Sequence, residues 1–168
     1  MGDIPRIYFD GEARPNPGKL RAGIVVVQDQ QARVGAYNTG QGNSHLAEWL
    51  ALIVAARTAV AMGAPQAELL GSNIGVIDQA NGGALIRDPV IQQLSTQLGV
   101  LRGLCRFDVF YVERGVNLAG RLLETGNTSG FRCKVAMCEN AEVVDGPLID
   151  RAIPANCNSA RRSPNVGC

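Results

Sequence analysis

The spacing of apolar residues predicts three consecutive strands at the start of the chain. Residues 7–9 form a β-rich triplet, residues 22–28 include four successive aliphatic side chains, and residues 32–37 alternate between apolar and polar. Turn-forming residues separate these segments, notably residues 14–18, which include two prolines. Short links between neighbouring strands predict an antiparallel meander.

The apolar spacing then becomes helical. A helix capped by Asn43 or Ser44 is predicted to end at Gly63, where Pro65 follows. Further along, the pattern predicts a strand over residues 67–70, helices over 75–79 and 90–102, a strand over 107–111 and a helix over 117–124. The predicted fold class is therefore α/β, with helices on the faces of a mixed five-stranded sheet.

The periodic pattern ends after residue 126. We therefore predict a domain over residues 1–126 and a C-terminal extension of uncertain order over residues 127–168. Within the extension, residues 131–137 have enough β character to add to the edge of a sheet, either their own or a neighbour's.

Composition narrows the class of protein. The chain has 168 residues, 46% of them hydrophobic and 18% charged, and a formal net charge of +1. This balance excludes intrinsic disorder and polybasic binding proteins. The longest apolar candidate, residues 46–62, contains Glu48 and Arg57, so no membrane span is predicted. The N-terminus has no basic-then-apolar signal pattern, so we expect a soluble cytoplasmic protein.

Five cysteines cannot all pair within one chain, and four of them fall in the last quarter of the sequence. Zinc binding by those four is one interpretation, although their spacing matches no common zinc motif. We expect reduced, unpaired thiols instead.

Two acidic residues are the first candidates for chemistry. Asp10 is predicted to end the first strand, where Gly11 follows it, and Glu48 lies one turn into the first helix. Packing of that helix near the strand end would bring both carboxylates together, as a Mg²⁺ site for phosphoryl transfer requires. The alternatives are an ordinary Asp-Gly turn and a Glu that only compensates the helix dipole.

Several blocks of sequence in unbroken order carry a more specific likeness. They are residues 8–18 (YFDGEARPNPG), 43–52 (NSHLAEWLAL), 72–82 (SNIGVIDQANG), 87–89 (RDP) and 111–122 (YVERGVNLAGRL). Together they resemble the ribonuclease H type I family, in its compact reverse transcriptase-like branch. The likeness covers about residues 5–125, and it implies an RNase H-like sheet of three antiparallel strands followed by parallel ones.

The resemblance implies an active site of four acids that hold two Mg²⁺ or Mn²⁺ ions. Asp10 and Glu48 match the first two acids in this family's pattern. The third acid falls on Ser72 and the fourth on Gly120, so neither position carries a carboxylate. Loss of two metal ligands predicts a nuclease whose hydrolysis is weak or absent. Asp78 and Glu124 are the nearby acids that we consider as replacements.

The resemblance also implies a groove for an RNA/DNA hybrid or double-stranded RNA, read through its shape. The candidate contact residues are Gly11, Asn16, Gly18, Lys19, Arg21, Asn43 and His45. These same residues are also typical of loops and helix caps. Residues 1–126 hold eleven basic and eleven acidic side chains, which does not favour tight binding. Three functions remain open: a nucleic-acid-binding protein with degenerate activity, an active divergent ribonuclease H, and a scaffold for a protein partner.

Overall fold

The computed structural model describes residues 2–125, and it confirms the predicted order of elements. The predicted strand at 131–137 and four of the cysteines lie outside that range. The strands are β1 Arg6–Arg14, β2 Gly18–Gln28, β3 Gln31–Gly42, β4 Gln66–Gly71 and β5 Arg106–Tyr111. The helices are α1 Ser44–Ala61, α2 Ile74–Ala80, α3 Pro89–Leu104 and α4 Leu118–Thr125, with a short 3-10 helix over Arg114–Val116.

The five strands form one mixed sheet in the order β3-β2-β1-β4-β5. β1 pairs antiparallel with β2, and β2 pairs antiparallel with β3. On the other side, β1 pairs parallel with β4, and β4 pairs parallel with β5. The predicted α/β class and the meander followed by parallel strands are both confirmed.

The first strand is longer than its apolar residues suggest. Its ladder with β2 continues without interruption to the Arg14–Lys19 pair, so Asp10 lies inside β1 opposite Gly23. The prediction that Asp10 ends the strand is therefore wrong. Past Asp10 the hairpin is polar, and ion pairs from Glu12 to Arg14 (2.9 Å) and to Arg21 (3.0 Å) accompany the ladder there.

The sheet separates a large core from a smaller one. Residues of α1, α2 and α3 pack with one face of the sheet, and Trp49 of α1 is the largest fully buried side chain. On the opposite face Ala119 and Leu122 of α4 pack against Val25 of β2 and Ala32 of β3. Asn43 caps α1, since its side chain accepts the Leu46 N–H at 2.9 Å. None of the described helices is long and apolar enough to cross a membrane.

Candidate active site at the junction of β1, β4 and two helices

Gly11 sets the distance between β1 and α1. A Cβ atom at this position would lie 2.2 Å from the carbonyl carbon and oxygen of Ala47, so only glycine fits. The Gly11 N–H donates a hydrogen bond of 3.3 Å to Oε2 of Glu48. This close approach brings Glu48 beside Asp10, as the sequence predicted, although the meeting point is within the strand.

Both carboxylates are nearly enclosed. Asp10 is 8% exposed and Glu48 is 9% exposed. Burial raises the pKa of Asp10 to about 6, against the opposing effect of the Arg114 charge. Burial and then the Asp10 charge raise the pKa of Glu48 to about 8, while the Gly11 N–H and the Asn73 side chain act in the opposite direction. Desolvation combined with like-charge repulsion is characteristic of sites that bind a cation.

Ser72 follows β4 at the position where the resemblance places the third acid. A hydrogen-bonding interaction with the Ser72 side chain lowers the pKa of Asp10, so this contact acts on the site without supplying a charge. Asn117 supports this contact, because its Nδ2 donates to Ser72 Oγ at 3.1 Å and to the Phe9 carbonyl at 3.0 Å. The Asn117 Oδ1 accepts the Ala119 N–H at 3.1 Å, which ties the start of α4 to the same network.

Asn117 is fully buried, and the sequence analysis identified it only as the start of a helix. An asparagine directly before a helix reads as a cap, so the pattern alone did not signal its contacts with two strands. Its burial is a tertiary property, and so is its function of joining β1, β4 and α4.

Gly120 faces Asp10 from α4. A Cβ atom at this position would lie 3.4 Å from Oδ2 of Asp10 and 3.6 Å from its Cγ. Gly23 of β2 allows α4 to lie this close, since a Cβ there would stand 2.9 Å from the Ala119 carbonyl oxygen. The fourth position of the resemblance thus borders the site, with no side chain to contribute.

The two acids considered as replacements differ in their surroundings. Asp78 is exposed on α2, and it is not among the groups that shift the pKa of either site carboxyl. Glu124 is exposed on α4, and its charge raises the pKa of Asp10. Oε1 of Glu124 also lies 3.9 Å from Nη2 of Arg114.

Arg114 is a cation that the sequence analysis missed. Its side chain is 82% exposed, and its charge lowers the pKa of both Asp10 and Glu48. The residue belongs to the 3-10 helix between β5 and α4, so only the packing of those elements brings it to the carboxylates. It adds a positive charge at the open side of the site.

Several predicted contact residues lie where the β1–β2 turn meets the start of α1. Asn16 and Ser44 exchange two hydrogen bonds, of 3.1 Å from Asn16 Nδ2 and 3.2 Å to Asn16 Oδ1. Gly18 packs against Pro15 in that turn, while Asn43 is exposed as the cap and His45 is half-buried. The turn and the helix start therefore form one polar surface, which we call the Asn16–Ser44 surface.

The oxygen atoms around Asp10 determine which metal ions the site can hold. Asp10 and Glu48 supply carboxylate oxygens and Ser72 supplies a hydroxyl, which together suit one hard divalent cation that retains water ligands. Among residues 2–125 no group of three acidic, histidine or cysteine side chains is placed to hold a metal. The residues present therefore fit one ion better than two.

Solved structures provide the comparison with known proteins. The RNase H1 of the halophilic archaeon Halobacterium salinarum aligns with a TM-score of 0.66 and 27% identity, covering 72% of this chain and 94% of that one. The N-terminal RNase H domain of a Mycobacterium tuberculosis protein aligns with a TM-score of 0.60, 27% identity, and 72% and 95% coverage. LC11-RNase H1 in complex with an RNA/DNA hybrid aligns with a TM-score of 0.62, 20% identity, and 68% and 88% coverage.

No protein-family model matches the sequence, and no curated protein is similar enough to count as a relative. The fold is nevertheless that of ribonuclease H, because the five-stranded mixed sheet and its helices match the RNase H1 structures. The predicted resemblance to the ribonuclease H type I family is confirmed by these RNase H1 structures, which cover most of the chain.

Proposed function

We propose that this protein binds RNA/DNA hybrids and that its hydrolytic activity is weak or absent. The observation that carries the proposal is the neighbourhood of Asp10. Ser72 and Gly120 both contact this carboxylate or border it, and neither brings a second charge of the same kind. Of the four positions that the resemblance assigns to acids, only two, Asp10 and Glu48, carry a carboxylate.

Three features favour a nucleic acid as the ligand. One structural neighbour is a complex of an RNase H1 with an RNA/DNA hybrid. The Asn16–Ser44 surface carries neutral hydrogen-bonding groups, which suit contacts to sugar hydroxyls and phosphate oxygens. Arg114 supplies a cation beside the carboxylates, where a backbone phosphate would approach them.

Asp10 and Glu48 are the residues that would hold a Mg²⁺ or Mn²⁺ ion. A bound divalent ion supplies charge stabilisation to a phosphoryl oxygen. Each missing ligand of such a site removes transition-state stabilisation of about 3 kcal/mol, and every 1.4 kcal/mol lowers the rate about tenfold. Two missing acids therefore predict a rate about four orders of magnitude below that of a complete site.

An active divergent ribonuclease H is the second candidate, and Glu124 favours it. Its charge acts on Asp10 from the last turn of α4, one helical turn beyond Gly120. Release of Glu124 from Arg114 would make its carboxylate available to the site. In that case Asp10, Glu48 and Glu124 form the ligand set.

A labelled RNA/DNA hybrid tests both candidates in one set of reactions. Fluorescence anisotropy at low salt measures binding, and product analysis in Mg²⁺ and in Mn²⁺ measures cleavage. Asp10→Asn is compared with the parent protein, together with Glu124→Gln. We expect binding without cleavage, and little change in binding in either variant.

The outcomes separate the hypotheses. Cleavage that is lost in both variants identifies Glu124 as a working ligand and supports the active enzyme. Absence of binding at low salt rejects the proposed function and leaves the scaffold hypothesis. Preference for the hybrid over a DNA duplex of the same sequence distinguishes specific binding from charge attraction alone.

A further inference from the structure

The two edges of the sheet differ in their protection. β5 is six residues long, and Arg106 and Asp108 place charges along it. β3 is twelve residues long, and Arg33 is its one charged residue. Long edges without charges, prolines or irregularities offer unpaired N–H and C=O groups to another strand. By this criterion β3 is the open edge of the described sheet.

The outer half of β3 is also regular. Residues 31–38 pair one to one with β2, and the register shifts only beyond them, next to Leu20. Eight consecutive residues in regular β geometry are enough to pair with a further strand of ordinary length.

The apolar layer beneath this edge is only partly covered. Val34 of β3 and Val27 of β2 are half-buried members of the smaller core, on the side of the sheet where α4 packs. α4 has only eight residues and packs on β1 and β2. An added strand with apolar side chains on that side would extend the same layer past Val34.

The path of the chain leads toward this edge. α4 begins beside β1 and β4, where Asn117 contacts Phe9 and Ser72. Further along the helix, Leu123 lies against Gly23 of β2, and Leu122 packs in the core that includes Ala32 of β3. The helix therefore crosses the sheet in the direction of β3, and residues 126–168 continue from its end.

Residues 126–137 have a composition that suits a linker followed by a strand at the β3 edge. Residues 126–130 (GNTSG) have the composition of a turn-forming linker, and five extended residues span up to about 17 Å. Two strand spacings amount to about 10 Å, so the linker can carry the chain from β2 past β3. In residues 131–137 (FRCKVAM) Phe131, Cys133, Val135 and Met137 alternate with Arg132 and Lys134. Such a strand has one apolar face, and its other face carries the charges that β3 lacks.

We propose that residues 131–137 of this same chain pair with β3 along residues 31–36 as a sixth strand. The apolar side chains then cover the smaller core next to Val34, and Arg132 and Lys134 protect the new edge. This proposal does not depend on nucleic-acid binding.

Hydrogen exchange of the full chain, followed by mass spectrometry, tests the pairing. We expect residues 131–137 to exchange at least tenfold more slowly than an unstructured peptide. Val135→Asp places a charge on the apolar face, so it should accelerate exchange at least tenfold both in 131–137 and in 31–36. Val143→Asp is the matched control, because it makes the same change outside the proposed strand and should alter neither segment.

Cross-linking identifies the occupant. With Cys138, Cys157 and Cys168 replaced by serine, a short bis-maleimide should link Cys133 to a Val34→Cys thiol within a monomer. A Phe110→Cys thiol on β5 should remain unlinked. Links between two chains, or protection that disappears on dilution, would assign the edge to a second copy and overturn the proposal. Random-coil exchange of 131–137 in the parent protein, or linkage to position 110, would also overturn it.

Discussion

The two halves of the candidate site differ in the charge of the side chains that they contribute, although a close backbone approach shapes both of them. On the β1–α1 half, Asp10 and Glu48 are held together by the close approach at Gly11. On the β4–α4 half, Ser72 and Gly120 border Asp10, and Asn117 connects Ser72 and the start of α4 to β1. The second half therefore packs against Asp10 without contributing a carboxylate.

This difference shows that the packing around Asp10 and the supply of carboxylates depend on different residues. The contacts of Asn117 and the glycines at 11 and 23 stabilise the packing of α1 and α4, and they do not require any carboxylate at 72 or 120. Packing and hydrogen bonding therefore maintain the geometry around Asp10 without a carboxylate at either position.

The largest expected effect comes from restoring the missing half. Ser72→Asp combined with Gly120→Asp should raise cleavage of an RNA/DNA hybrid in Mg²⁺ by about four orders of magnitude, because each restored metal ligand contributes about 3 kcal/mol. Product formation over time, with Asp10→Asn added to the double variant, measures the gain. A double variant that is folded and binds hybrid but remains inactive would show that the second half has lost its geometry too.

Asn117→Ala tests whether the second half is held by its buried hydrogen bonds. The change removes both donors to Ser72 and Phe9 in a fully buried location, so it should lower the free energy of unfolding by about 3 kcal/mol. Urea denaturation measures it against Asn43→Ala, an exposed helix cap expected to cost about 1 kcal/mol. Equal losses in the two variants would contradict a special role for Asn117.

Glu48→Gln tests the first half through pH. The folded-state pKa of Glu48, about 8, lies above its ordinary value of 4.5, so the folded protein binds the extra proton between these values. Stability is then greatest below pH 4.5 and falls as pH rises toward 8. The variant should lack much of this slope and be about 4 kcal/mol more stable than the parent at pH 8. Urea midpoints of the parent and the variant across this pH range measure the difference, and parallel curves would refute the raised pKa of Glu48. Mg²⁺ should stabilise only the parent.

The smallest effect concerns Arg114. Arg114→Gln should reduce the salt dependence of hybrid binding by about one unit of log–log slope, as expected for one lost phosphate contact. Arg106→Gln is the matched control. Arg106 begins β5, whereas the 3-10 helix that holds Arg114 follows the other end of that strand, at Tyr111. Equal slopes in parent and Arg114→Gln, measured by anisotropy titrations, would remove Arg114 from the binding surface.

Most of the fold was predictable from local sequence. Apolar periodicity and turn residues determined the order of elements, because strand and helix spacing require different patterns of burial. Strand ends were less predictable. β1 continues past Asp10 to Arg14 because pairing with β2 and ion pairs support a polar hairpin that has no apolar signal.

The sequence by itself determined the class of fold, the pair Asp10 and Glu48, and the neutral residues at 72 and 120. These follow from residue types and their order. The tertiary structure decided that Asn117 is buried between two strands, that the Arg114 charge acts on both carboxylates and that β3 is an edge strand of the described sheet. Burial, charge proximity and edge position arise between segments distant in the chain, so no local pattern could encode them.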